Sequence, residues 1–151
     1  MRVEQDVKLT FEDVLIRPKR STLVSRSDVT LEREFKFRHS DTTWSGVPIV
    51  AANMDTTGLF PVSKVLQQHK MITCLQKFYA TREYAAAWED DVDPNFIAAT
   101  CGSTEESLTL LKRKMATNDN IKFICIDVAN GYREVFLAVS YTHLRAHETR
   151  Y

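Results

Sequence analysis

The chain has 151 residues, with 20 Lys and Arg against 20 Asp and Glu, 44% hydrophobic residues and 26% charged ones. These values exclude collagen-like, disulfide-scaffold and strongly disordered classes, and the length suits one core, or part of one. Zero formal charge argues against a protein built to neutralise many phosphates, so no nucleic-acid partner is expected, and the local Arg17-Pro-Lys-Arg20 run reads as a solvated turn.

The first residues, Met-Arg-Val-Glu-Gln-Asp, are polar and acidic where a secretory leader would be apolar. The longest apolar runs, such as Phe123 to Val128, fall far short of the ~18 residues that span a bilayer. A cytoplasmic, reducing location with no membrane partner is the expectation. Cys74, Cys101 and Cys125 are odd in number, widely spaced and flanked by apolar residues, as buried strand thiols are. They have no C-x-x-C spacing, and His39, His69, His143 and His147 form no ligand pattern, so no metal site is expected.

Residues 1–46 stand apart. Leu31-Glu-Arg-Glu-Phe-Lys-Phe37 alternates like a strand and suggests a short ribbon, or a lid over one end of the fold. From residue 47 onward strand and helix patterns alternate. Val47-Pro-Ile-Val-Ala-Ala52 is a short apolar run followed by a polar loop to Gly58, and residues 60–69 read as a helix that tolerates Pro61 in its first turn. Residues 71–76 form the second strand, and Thr81 can cap a helix over 82–89. Residues 96–101 form the third strand. Ser103 and Glu106 have capping-box spacing, and Leu108, Leu111 and Met115 define one buried face of the helix they open. The acidic Glu105-Glu106 pair and the basic Lys112-Arg-Lys114 triplet suit its two ends, so the triplet reads as a solvated terminus. Asn118-Asp-Asn120 is a turn, and Phe123-Ile-Cys-Ile-Asp-Val-Ala129 a fourth strand, apolar on both faces up to Asp127.

Four strand–helix units with short connections specify an α/β fold, either doubly wound or a barrel. Ligands in such folds bind at the carboxyl ends of the strands, which here carry Asn53-Met-Asp55, Lys77, Gly102-Ser103 and Asp127 to Gly131. Neither G-x-G-x-x-G after the first strand nor G-x-x-x-x-G-K-[ST] occurs, which tilts the choice toward a barrel. Taken alone, Asp127 and the Asn53-Met-Asp55 loop read as strand-end turns.

Three stretches carry a resemblance: Leu9-Thr-Phe-Glu-Asp-Val-Leu-Ile-Arg-Pro-Lys-Arg-Ser21, Ala52-Asn-Met-Asp-Thr-Thr-Gly58 and Phe123-Ile-Cys-Ile-Asp-Val-Ala-Asn-Gly-Tyr132. Together they resemble guanosine monophosphate (GMP) reductase, in register from about residue 2 to residue 139. The sister family, inosine monophosphate (IMP) dehydrogenase, shares F-x-D-V-L-x-x-P and is the alternative. It usually carries Ser-Pro-Met-Asp in the first loop, Asp-Ser-Ser-Gln-Gly where this chain has Asp127-Val-Ala-Asn-Gly131, and a regulatory insertion for which this chain has no room.

The resemblance implies an incomplete (β/α)8 TIM barrel, its first four strand–helix units following an N-terminal β-ribbon segment. It implies NADPH-dependent reductive deamination of GMP to IMP, with release of ammonia, in purine nucleotide interconversion by a homotetrameric parent. By the family's pattern Ser25 and Arg26 reach a cofactor in a neighbouring subunit. Lys77 lies beside nicotinamide and substrate as a catalytic residue, Asp127, Val128 and Ala129 line the cofactor cleft, and Asn53, Met54 and Asp55 face the purine. The residue types suit these tasks: Arg grips phosphate bidentately and Lys moves protons. Gln76 and Phe78 flank Lys77 where the family often has His, Thr57 stands where Val is common, and Cys101 stands where a small hydroxyl residue usually precedes Gly102.

A complete barrel takes about 250 residues. The family's catalytic cysteine, its Thr/Glu proton-transfer pair and most GMP-phosphate contacts belong beyond the sixth strand, outside these residues. Residues 1–139 are accordingly expected to be the N-terminal half of the barrel, inactive alone or associating with intact subunits. Tyr132 to Val139 begins a fourth helix. Ser140-Tyr-Thr-His-Leu-Arg-Ala-His-Glu-Thr-Arg-Tyr151 then leaves both the family and the helical period, and resembles translated sequencing-adapter read-through.

Overall fold

A computed structural model of the protein describes residues 5–38 and 40–138, so the 140–151 tail and His39, His143 and His147 lie outside the described residues. The chain divides into two units between Thr30 and Leu31.

The first unit is built on two 3-10 turns, Phe11–Asp13 and Arg26–Asp28. Each is closed by its own third residue. The Asp13 carboxylate accepts from the Thr10 N–H and hydroxyl, both at 2.9 Å, and Asp28 accepts from the Ser25 N–H at 2.9 Å. The backbone hydrogen bond from Thr10, followed by that from its hydroxyl, holds the Asp13 carboxyl below the usual carboxylate range. The acidic residue of the F-x-D-V-L motif thus closes a turn locally.

The second unit opens with an antiparallel ribbon, β1 (Arg33–Lys36) and β2 (Thr43–Gly46), which places Phe35 opposite Trp44. Trp44 is buried; its indole N–H donates to the Asn95 carbonyl at 2.8 Å, and its ring meets Phe96 edge-on at 6.1 Å. Phe37 lies 5.8 Å from Phe123. Asn95, Phe96 and Phe123 all precede strands, so the ribbon covers the amino end of the sheet that follows. The expected ribbon is present, at the end of the sheet away from the strand-end loops.

That sheet is four-stranded and parallel, in the sequential order β3 (Val50–Ala51), β4 (Ile72–Cys74), β5 (Ile97–Cys101), β6 (Ile124–Ile126). Thr73 stands opposite both Ala51 and Ile97, and Thr100 opposite Cys125. Helices α1 (Phe60–Leu66), α2 (Thr81–Glu89) and α3 (Glu105–Thr117) connect the strands, and residues 134–138 are helical after β6. All four units read from the sequence are there, with shorter strands. The caps differ by one residue. Ala80, not Thr81, precedes α2, with its N–H held by Glu83 at 2.6 Å. Ser103 and Glu106 do not form a capping box: Thr104 is extended and accepts from the Ser107 N–H at 3.3 Å. The Ser107 hydroxyl meanwhile accepts from the Gly102 N–H at 2.7 Å, which draws the helix start toward the strand end.

Alternation along β4 and β5 sorts the two sheet faces. Leu75, Ile97, Ala99 and Cys101 join Tyr84 of α2 and Leu111 of α3 in one core, against which Phe60 of α1 packs. All three helices therefore cover the same face, the winding of a sheet that curls in one direction; a doubly wound sheet would carry them on both. Val50, Ile72, Cys74, Ala98 and Cys125 turn the other way and line an open, mainly apolar cavity of about 510 Å³ closed on one side by Phe35, Phe37 and Trp44. The three connecting helices thus cover one face, and the β6 residues, read from the sequence as apolar on both faces, are half-buried.

Candidate functional site

The loops after the four strands emerge along the carboxyl edge of the sheet, where parallel α/β proteins bind ligands. After β3, Asn53 to Gly58 folds into a turn, with the Thr57 and Gly58 N–H groups donating to the Met54 carbonyl at 3.0 and 2.7 Å. The Gln76 N–H donates to the Gly58 carbonyl at 2.8 Å, which ties this loop to the one that carries Lys77. Glycine is required at 58 by that approach, because a Cβ there would stand 2.6 Å from the Cys74 carbonyl oxygen and 2.8 Å from the Gln76 nitrogen. Gly58→Ala is expected to cost about 1–3 kcal/mol by overpacking, read as a lowered urea midpoint, with faster amide exchange at Gln76.

Lys77 is exposed, with its ammonium 5.4 Å from the Phe78 ring centroid. Its backbone is fixed from below. The Lys114 ammonium donates to the Lys77 carbonyl at 3.2 Å, and the Phe60 N–H donates to the Tyr79 hydroxyl at 3.3 Å. Lys114 is only 7% exposed, so it is not the solvated helix end expected for the Lys112-Arg-Lys114 triplet. Its place three residues after Leu111 put it on the buried face, and this spacing was the signal available in the sequence. Burial holds its ammonium below the usual lysine range.

After β6, the Asp127 N–H donates to the Cys101 carbonyl at 2.8 Å, leaving the Asp127 side chain exposed at the strand end with Val128 and Ala129 beyond it. The Tyr132 N–H donates to the Asn130 side-chain oxygen at 2.9 Å and turns the chain toward its next helix. The carboxyl edge thus gathers Asn53, Met54, Asp55, Lys77, Asp127, Val128 and Ala129. Ser25 and Arg26 lie in the first unit, at the head of its second turn.

The cysteines belong to the strands themselves, not to the loops that follow them. Cys101 is buried, and burial pushes its thiol up to about 11. Cys74 and Cys125 are half-buried on the cavity face, less enclosed than expected. Each thiol shifts the other: the neighbouring Cys125 raises Cys74, and the neighbouring Cys74 lowers Cys125. Among the described residues no three His, Cys, Asp or Glu side chains converge, and no helix is long and apolar enough to cross a membrane.

No family model matches the chain. It is 47% identical over 138 residues to the GMP reductase of Tolumonas auensis, 49% over 140 residues to that of Klebsiella pneumoniae, and 49% over 136 residues to that of Vibrio vulnificus. The chain is a homologue of the GMP reductases. The aligned stretches cover 90%, 91% and 89% of this chain, and it spans about 40% of the length of these relatives. Among solved structures, an inosine 5′-monophosphate dehydrogenase from Legionella pneumophila superposes with a TM-score of 0.70 at 23% identity, over 93% of this chain and 41% of that one. This establishes a shared α/β fold.

Proposed function

We propose that the chain is part of a GMP reductase that uses NADPH to convert GMP to IMP with release of ammonia, in a cytoplasmic, homotetrameric (β/α)8-barrel enzyme. The observation that carries this reading is the 47–49% identity to curated GMP reductases over nine-tenths of the chain. In this reading residues 1–139 belong to the barrel and residues 140–151 are foreign to it. The sequential parallel sheet with helices on one face supports the barrel.

The edge residues suit a nicotinamide nucleotide. Asp127 offers an exposed carboxylate to ribose hydroxyls, and Phe78 offers a 71%-exposed ring beside the Lys77 ammonium. NADPH, when bound, supplies the hydride. Lys77 is assigned to proton traffic beside the leaving amine, Asp127, Val128 and Ala129 to the cofactor cleft, Asn53, Met54 and Asp55 to the purine side, and Ser25 and Arg26 to a neighbouring subunit's cofactor. No cysteine here is offered as the nucleophile, because Cys101 is buried and Cys74 and Cys125 face the cavity.

The test is loss of NADPH absorbance on addition of GMP. Turnover is expected from a protein that continues into further strand–helix units with a loop cysteine, and none from the 151 residues alone. NADPH oxidation by the isolated chain would refute its incapacity, and NAD reduction with IMP would transfer the reading to the dehydrogenase. The open apolar cavity and the unpaired outer edges of β3 and β6 among the described residues favour a second reading, a non-catalytic piece that associates with intact subunits. Failure to co-purify with them would remove it.

A further inference from the structure

Lys114 is the one charged side chain in the core among the described residues. Burying an ammonium is costly unless its donors are met, and a leucine or methionine would fill the same space without that cost. No carboxylate lies at ion-pair distance from it among the described residues. Two partners meet it: the Lys77 carbonyl at 3.2 Å, and the Tyr84 ring, whose centroid is 5.5 Å away. Both are well placed to stay still. Tyr84 is fully buried and packs edge-on against Phe60 at 5.3 Å, while Lys114 belongs to the longest helix among the described residues and follows the buried Leu111 by one turn.

The loop that receives this hydrogen bond is otherwise tied at its two ends and through the Tyr79 side chain, which accepts from the Phe60 N–H at 3.3 Å and packs on the Phe60 ring at 4.5 Å. The Gln76 N–H is held by Gly58, and the Ala80 N–H by Glu83. Between them the Lys77 carbonyl is the backbone group that the core reaches directly, and fixing it sets the direction in which the Lys77 side chain leaves the loop.

We propose that Lys114 is a positioning residue: from α3 it holds the Lys77 carbonyl so that the Lys77 ammonium stands out from the carboxyl edge of the sheet in one orientation. The inference rests on the reading of Lys77 as the residue beside nicotinamide and substrate. A misplacement of about 1 Å at a reacting group costs up to about a hundredfold in rate, so a loop anchor of this kind acts on turnover more than on substrate affinity.

Amide exchange of the full chain tests the hold itself. Lys114→Met keeps the methylene bulk and removes the donor, and is expected to raise exchange at the loop's bonded amides, Gln76 and Ala80, about tenfold while Ile97 to Cys101 stays within about twofold; Lys114→Arg returns most of the protection. Unchanged exchange at Gln76 and Ala80, or an equal rise in β5, overturns the proposal, since the second result means a role in the core as a whole. In the intact reductase, Lys114→Met is expected to lower kcat about tenfold with the KM for GMP unchanged. A loosened loop with full turnover, together with full turnover of Lys77→Met, overturns the reading of Lys77 and leaves the hold of Lys114 on the loop standing.

Discussion

Replacing Tyr84 by alanine is expected to destabilise the second unit by about 4 kcal/mol, a large share of the ~5–15 kcal/mol that keeps a domain folded. Tyr84 is 0% exposed and central to the aromatic packing of α2, with Phe60 at 5.3 Å and Trp88 at 6.2 Å, and its ring receives the Lys114 ammonium. Truncation would open a cavity and leave that cation without its aromatic face, two effects of the same sign. Tyr84→Phe separates the ring from its hydroxyl. That hydroxyl is buried without a hydrogen-bond partner among the described residues, and burial raises its pKa above the usual tyrosine range. Removing it is expected to be neutral or stabilising by about 1 kcal/mol, whereas deleting a satisfied hydroxyl would destabilise by a similar amount. Urea unfolding of the two variants checks both signs, and a destabilised Tyr84→Phe would show that the hydroxyl has a partner.

The second large effect is on chemistry. If the proposed function holds, Lys77→Met in the intact enzyme is expected to lower GMP-dependent NADPH oxidation about a hundredfold or more, the scale of losing a positioned proton-transfer group. Arginine should restore little, because its guanidinium holds its proton too tightly to exchange it near neutral pH. The structure gives the expectation a spatial basis: Lys77 is exposed at the carboxyl edge, its neighbour Gln76 is bonded to the Gly58 loop, and its carbonyl is anchored by Lys114. Retention of kcat within about threefold in Lys77→Met would remove the residue from the reaction.

The order of elements was legible because it depends on local information. The apolar runs around Ile72, Ile97 and Ile124 alternate with helical periods, and the caps and turns between them are short-range devices. Cap positions were legible only to within a residue, since Ser103, Thr104 and Ser107 are all competent hydroxyls. The choice fell to Thr104 when Ser107 met the Gly102 N–H across the strand end. For the site, Asn53, Lys77 and Asp127 could be placed at strand ends from the pattern, while their assignment to a purine nucleotide came from resemblance alone.

By itself the sequence determined the four strand–helix units, the ribbon before them, and a relationship to the GMP reductases carried by contiguous motifs. Each rests on neighbours along the chain. Only the tertiary structure decided that all three connecting helices cover one face, that Gly58 has no room for a Cβ, and that Lys114 is a core residue bonded to Lys77. Those facts depend on groups 16 to 37 residues apart meeting in space, as Gly58 meets Cys74 and Lys77 meets Lys114. The spacing from Leu111 puts Lys114 on the buried face of its helix, but nothing in the sequence says that its ammonium meets a carbonyl one strand away. Packing, not spacing, supplies the partner.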